Sequence, residues 1–419
     1  MTSEPTEAFV WTWLPGDEEP VVAARLELIG AIVNFNYGRS YLARQAAIPL
    51  YLPDLPLRPG RIAPPRGLTV PGAIKDAGPD AWGQRVVMAH LLGAGAKADD
   101  PAVLGPLTYL LRSGSERIGA LDFQQRADVY VSRDESTATL VELMQAADHV
   151  SEGRPLPPAL DLALLHGSSV GGARPKALLK DDGRDLIAKF SSSTDTYAIV
   201  KGEFAAMELA RRAGLDVASV ELVRVMGREV LLVKRFDRVA GTKQRRALVS
   251  ALTILELDEM MARYASYSDL AQIVRERFTG ATATLRELFA RITFNILTGN
   301  SDDHARNHAA FWDGQWLTLT PAYDICPQPR SGGETSQAMM IGPDGFRLST
   351  LAGCVERATT YMLTESDARE LIDHQRDVIE REWQDVCDLA QMTEVDRSFF
   401  WGRQFLNPYA LEGYSAAPV

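Results

Sequence analysis

The sequence predicts an α+β chain in which strand-rich segments give way to a helical C-terminal half. Short runs of β-branched and aromatic residues come early, as in Phe9-Val10-Trp11-Thr12-Trp13-Leu14 and Val21-Val22-Ala23-Ala24. They return later, as in Val220-Glu221-Leu222-Val223 and Val230-Leu231-Leu232-Val233. From about residue 246 onward, apolar residues recur at helical spacing instead. At 419 residues the chain is too long for one ordinary core. The expected division is an N-terminal α/β domain over 1–150, a small strand-rich lobe over 151–245 and a mostly helical lobe over 246–419.

Composition is ordinarily globular, with 46% hydrophobic and 24% charged residues. The formal net charge of −11 disfavours broad contact with a phosphate backbone and argues against nucleic-acid binding as the main activity. The polar, acidic start resembles no signal peptide, and no segment is apolar and long enough to span a bilayer. Three scattered cysteines, Cys326, Cys354 and Cys387, suggest free thiols in a reducing cytoplasm. With neither CxxC nor HExxH, zinc is not expected.

In the first segment, Phe35-Asn36-Tyr37-Gly38-Arg39 is expected to close a hairpin. Residues 58–72, with four prolines and three glycines, are expected to be a loop. Asp80 would cap a helix running through Ala81-Trp82-Gly83, and a second helix is expected near 137–149. No chemistry is visible here, and a packing or partner-docking role is the reading. Arg154-Pro155-Leu156-Pro157-Pro158 is the expected linker.

The middle segment opens with Ser168-Ser169-Val170-Gly171-Gly172-Ala173-Arg174-Pro175-Lys176. Paired glycines let the backbone approach a ligand and aim N–H groups at it, and the cations beside them suit phosphate oxygens. It is not a Walker A loop, because no GK[ST] follows. Lys189 lies on a short strand, and Glu203 on a helix closed by Gly214. A strand pair joined at Met226-Gly227 ends at Lys234-Arg235-Phe236, where a small lobe would hand over to a helical one.

In the last segment, Leu285, Leu288, Phe289, Ile292 and Ile296 form one face of a buried helix. It leads into Gly299-Asn300-Ser301-Asp302-Asp303-His304-Ala305-Arg306-Asn307, and Pro321-Ala322-Tyr323-Asp324 follows. Asp302 and Asn307, with four residues between them, and then Asp324, make the acidic half of a phosphoryl-transfer site. One carboxylate would orient a hydroxyl, while an amide oxygen and a second carboxylate would hold Mg2+. Each residue has a plainer reading as a turn or structural residue. The order is what carries weight: Gly-rich loop, strand Lys, helix Glu, hinge strand, Asp-x4-Asn, Asp. That order matches a bilobal, protein-kinase-like fold over about 165–325. Residues 330–336 read as a loop suited to substrate contact, and residues 366–389 as a packing helix.

These motifs resemble the HipA family of bacterial serine/threonine-kinase toxins, with Asp80-Ala81-Trp82-Gly83 as a further point of likeness. The resemblance implies ATP and Mg2+, Asp302 as proton acceptor and Asn307 and Asp324 as metal ligands. It implies an ATP pocket lined by Gly171, Gly172, Ala173, Arg174, Pro175, Lys176, Lys189, Lys234, Arg235, Phe236, His304, Ala305, Arg306, Asn307, Tyr323 and Asp324. Ser169, beside Ser168, falls where such kinases autophosphorylate. A phosphate there would compete with those of ATP. The family also implies a helix-turn-helix antitoxin partner, contact with DNA only through it, and a protein substrate of the aminoacyl-tRNA synthetase class, glutamyl-tRNA synthetase in particular. The chain departs from some relatives at Arg174-Pro175, where Pro175 removes one backbone donor. Two other readings remain: a small-molecule phosphotransferase, and a catalytically silent kinase fold bridging antitoxin and DNA.

Overall fold

The structure is a computed structural model that describes residues 4–93, 103–133, 138–157, 160–161, 164–165, 174–192, 195–330 and 333–416. Ser168, Ser169, Gly171, Gly172 and Ala173, and part of the expected 330–336 loop, lie outside the described residues. The α+β class is as expected. By contacts the chain forms two units. The first comprises 1–192, 223–249 and 311–315, and the second comprises 193–222, 250–310 and 316–419.

The first unit opens with strands β1 (Glu7–Thr12), β2 (Val21–Ile29), β3 (Ile32–Tyr37), β4 (Arg61–Ile62) and β5 (Leu121–Gln124). They form an antiparallel sheet in the order β4-β3-β2-β1-β5. The hairpin expected at residues 35–39 is instead closed at Gly30, whose φ of 62° suits glycine, and Ile29 pairs with Ile32. Phe35, Asn36 and Tyr37 continue β3, with Tyr37 opposite Ala24. The expected loop over 58–72 contains the two-residue β4. Asp80 does cap the helix Ala81–Leu92, accepting from the Gly83 N–H at 3.5 Å. The second helix runs Leu140–Ser151 from a Thr139–Glu142 capping box.

A second sheet holds β6 (Lys176–Asp181), β7 (Arg184–Phe190), β8 (Val220–Val225) and β9 (Arg228–Lys234), in the order β6-β7-β9-β8. The β8–β9 turn takes positive φ at both Met226 and Gly227, as a tight hairpin requires. Alternation along β7 buries Leu186, Ala188 and Phe190 on one face. They share a core with Trp82, Val86, Val87, Leu143 and Met144 of the N-terminal helices and Val230 and Leu232 of β9. The N-terminal segment and this sheet are therefore packed as one body.

Charges are buried in the same unit. Asp122, fully buried, accepts from Arg117 Nε and Arg133 Nη2, each at 2.8 Å. Burial pushes its pKa up, but the two guanidinium groups outweigh this and hold it below the usual carboxylate range. Asp237 sits between Arg235 (2.7 Å) and Arg238 (2.8 Å) and also accepts the Gly119 N–H at 2.8 Å. Glu116 meets Arg238 at 3.1 Å and Lys180 at 3.0 Å, with Arg235 and Arg245 beyond.

In the second unit the helix Ala281–Thr298 buries Leu285, Leu288, Phe289, Ile292 and Ile296, the face expected of it. The helix Glu365–Leu389 buries Leu371, Ile372, Val378, Ile379, Trp383 and Val386. Gln375 joins the two helices, donating to Ala290 O at 2.8 Å and accepting from Thr293 Oγ1 at 2.9 Å. The three cysteines are buried free thiols. Among the described residues no helix is long and apolar enough to cross a membrane.

Replacing Arg117 by Met should take from the buried Asp122 one of its two guanidinium partners and destabilise the fold by about 3 kcal/mol. Urea unfolding followed by circular dichroism would measure it.

Candidate active site

The polar loop begins where the helix Ala281–Thr298 stops. Gly299 adopts φ 70°, and a Cβ there would lie 2.8 Å from the Gln404 carbonyl oxygen and 2.9 Å from its Cα. Only glycine meets both demands. Asn300 turns the chain back onto the helix. Its N–H donates to Asn295 O at 2.8 Å, and its Nδ2 donates to Asn295 Oδ1 at 3.0 Å and to Asp324 O at 3.4 Å. Ser301 O accepts from Ala338 N at 3.1 Å.

Asp302 and Asp303 then part company. Asp302 is exposed, whereas Asp303 is 3% exposed. Asp303 Oδ2 accepts from Asn295 Nδ2 at 2.6 Å, from His308 Nε2 at 3.0 Å and from the Tyr267 hydroxyl. Burial alone would raise its pKa, but His308 and these hydrogen bonds bring it below the usual carboxylate value. The Tyr267 phenol is pushed well above its ordinary range by burial and by Asp303. Tyr267 opens the helix Tyr267–Arg277, capped by Ser266, whose Oγ accepts from Ser268 N at 3.1 Å and Asp269 N at 3.3 Å. Asp303, Asn295, Tyr267 and His308 were not among the expected site residues. Their contacts to Asp303 come from 36 positions away at Tyr267, 8 at Asn295 and 5 at His308, and no regular spacing announces them.

Asp302 itself has a raised pKa. Partial burial is the largest cause, and the nearby Asp324 and Asp303 carboxylates push the same way against His304. Asn307 ends a short 3-10 turn, Ala305–Asn307, and its Nδ2 reaches back to Asp302 O at 3.5 Å. Asp324 holds the left-handed conformation, φ 62°. Tyr323 donates its hydroxyl to Arg306 O at 2.7 Å, tying the second motif to the first. Asp302, Asn307 and Asp324 thus belong to one neighbourhood of the second unit. Ala305 is buried, His304 and Arg306 are half-buried, and Glu203 is buried on the helix Ile199–Arg212.

The remaining expected residues lie in the first unit. Lys176 and Lys189 are cross-strand partners of β6 and β7, on the face opposite the Ala177–Ala188 core pair. Arg174 and Pro175 are half-buried, and Pro175 O accepts from Phe190 N at 3.1 Å. Lys234 is exposed, and Phe236 is half-buried with its ring edge-on to Phe311. Arg235 is committed internally. Its N–H donates to Asp185 O at 3.0 Å, and its guanidinium is buried against Asp237 and the carbonyls of Glu116 and Arg117.

The family model of the HipA-like C-terminal domain matches residues 168–383, just over half of the chain. The chain belongs to the HipA-like family. Curated relatives include a putative kinase of Sinorhizobium fredii, 29% identical over 33% of this chain and 33% of its own. The serine/threonine-protein kinase toxin HipA of Shewanella oneidensis is 26% identical over 38% of this chain and 42% of its own. A putative kinase of Haemophilus influenzae is 26% identical over 42% of this chain and 58% of its own. The matched stretches thus span from a third to under three-fifths of these relatives' lengths. Among solved structures, a chain of the Shewanella oneidensis complex of HipA, HipB and operator DNA superposes with a TM-score of 0.67. It is 18% identical and the match covers 96% of this chain and 97% of that one, so the likeness speaks for the HipA, kinase-like fold.

The donors at the HipA-like loop suit a hard divalent cation. Asn307 and Asp324 offer only oxygen, and magnesium characteristically takes one or two such protein ligands alongside water and phosphate. Among the described residues no cluster of three His, Cys, Asp or Glu side chains could hold a metal unaided.

Two outcomes follow from the loop. Gly299→Ala should cost on the order of 1–3 kcal/mol from its backbone conformation alone, and the contact with Gln404 adds to this; thermal unfolding would register it. Asp303→Asn should cost about 3 kcal/mol near neutral pH, in the range for breaking a buried pair. Because the folded pKa of Asp303 is depressed, its stabilisation is present above about pH 4 and lost as pH falls. The stability gap between wild type and Asp303→Asn should therefore narrow in acid, measured by urea unfolding across pH.

Proposed function

We propose that the chain is an ATP-dependent serine/threonine-protein kinase acting as the toxin of a HipA-type toxin–antitoxin module. The observation that carries this is the division of labour at the loop: Asp303 is locked inside by three donors, so its neighbour Asp302 is presented outward beside Asn307 and Asp324. Asp302 orients the acceptor hydroxyl and takes its proton as the oxygen–phosphorus bond forms and the bridge to ADP breaks. Asn307 and Asp324 hold Mg2+, which supplies charge neutralisation at the phosphates when bound. Lys176 and Lys189, registered opposite each other, concentrate positive charge for the phosphates. Lys234 to Phe236 contribute to the adenine end through backbone groups, with Arg235 supporting them from within.

On this reading Gly171 to Lys176 form the phosphate cradle, and Ser169 is the autophosphorylation site. The three-segment arrangement, 1–150, 151–245 and 246–419, corresponds to an N-terminal domain and two kinase lobes in the cytoplasm. The partner is a helix-turn-helix antitoxin, as the Shewanella relative's complex with HipB and operator DNA suggests. The target belongs to the aminoacyl-tRNA synthetases.

Incubation with γ-labelled ATP and Mg2+ tests the proposal. Label should appear on the protein and fall by at least about 1,000-fold in Asp302→Asn, in keeping with the loss of a catalytic base and positioning group. Label should also vanish in Ser169→Ala. Turnover of ATP by small hydroxylated acceptors, without label on any protein, would overturn it.

A further inference from the structure

The N-terminal helix Ala81–Leu92 does more than pack. Trp82 is fully buried, and its indole N–H donates to the Lys176 carbonyl at 2.8 Å. Among the described residues β6 is the edge strand of its sheet, so no described strand receives its outward carbonyls. The first of these, at Lys176, is answered by Trp82 instead. Lys176 is also the residue at which the Gly-rich stretch of the sequence becomes strand, and it is registered opposite Lys189. A buried carbonyl left without its donor would pull the start of β6 away from that register.

A second grip lies at the other end of the same sheet. Just past β9, Asp237 accepts the Gly119 N–H at 2.8 Å, and Arg238 Nη2 donates to Arg117 O at 2.7 Å. The N-terminal segment thus holds the sheet at the start of β6 and beyond the end of β9.

We infer that Trp82 is a positioning residue for the nucleotide, fixing Lys176 opposite Lys189 and so setting ATP affinity. The inference rests on the proposed kinase reading for its ligand, and on the hydrogen bond for its mechanism.

The test uses the full-length protein with Trp82→Phe, which keeps an aromatic ring and removes the donor. Trp11→Phe, in the same segment but bonded to Arg126 O at 3.2 Å, controls for general loosening. Amide hydrogen exchange over residues 177–179 should quicken in Trp82→Phe and not in Trp11→Phe. The KM for ATP should rise about threefold to tenfold, as for a lost hydrogen bond, with kcat within about twofold. Unchanged exchange, an equal effect in Trp11→Phe, or a fall in kcat at constant KM would overturn the inference. If the wild type proves inert toward ATP, the kinase reading fails and the nucleotide role falls with it. An active wild type with an unaltered KM in Trp82→Phe sinks the inference alone.

Discussion

A carboxylate taken out of water must be answered by donors, and at Asp303 the answer comes from three separate places in the chain. Tyr267 reaches it from the start of one helix, Asn295 from the last turn of another and His308 from beyond the loop. Such a cluster is not an economical way to gain stability, since well-packed apolar residues often do as well. Its effect is geometric. With one carboxylate of an Asp-Asp pair fixed inward, and Gly299 and Asn300 fixing the turn before it, the loop has little freedom left. The exposed Asp302 is held in place by its buried neighbour. Preorganisation of this kind is what phosphoryl transfer asks of a protein, because the reaction is helped mainly by alignment and charge placement.

The first unit uses the same physics on a larger scale. Asp122, Asp237 and Glu116 are each met by more than one arginine, and backbone groups of residues 117 and 119 complete the set. The contacts to the backbone of 117 and 119 join residues 118 positions apart. A hydrophobic core shared by the N-terminal helices and the β6-β7-β9-β8 sheet lies alongside. Apolar packing supplies attraction without direction, and the ion network supplies register. Together they make the N-terminal segment part of the sheet's foundation, where the sequence suggested only a packing or docking module.

What could be read from the sequence was what has a short period or a local signature. The face of the helix Ala281–Thr298, the stripe of Glu365–Leu389, the Asp80 cap and the Met226-Gly227 turn all depend on neighbours within a few residues. The first hairpin was misplaced because Phe35 to Tyr37 resembles a turn flank, while the residue with the needed positive φ, Gly30, stands in an unremarkable setting. The order of motifs singled out Asp302, Asn307 and Asp324 together, and the structure places them in one neighbourhood. Asp303 was not singled out, since an Asp beside an Asp in a loop is by default a turn residue, and its partners at 267, 295 and 308 share no spacing. Arg235 shows the converse: a cation in a promising motif whose side chain is consumed internally.

Net charge and local charge also part ways, and the difference bears on how nucleotide and metal would enter. The chain carries −11 overall, yet β6 and β7 set Lys176 and Lys189 opposite one another in the strand register. The loop has the opposite imbalance, with Asp302 pushed upward in part by Asp324. A cation held by Asn307 and Asp324 would relieve that repulsion. On the proposed reading magnesium and the phosphates also attract one another directly, so each gains from the presence of the other. The coupling is then reciprocal: magnesium strengthens ATP binding by the same factor that ATP strengthens magnesium binding. An acidic protein can in this way hold a polyanion without any broad basic surface.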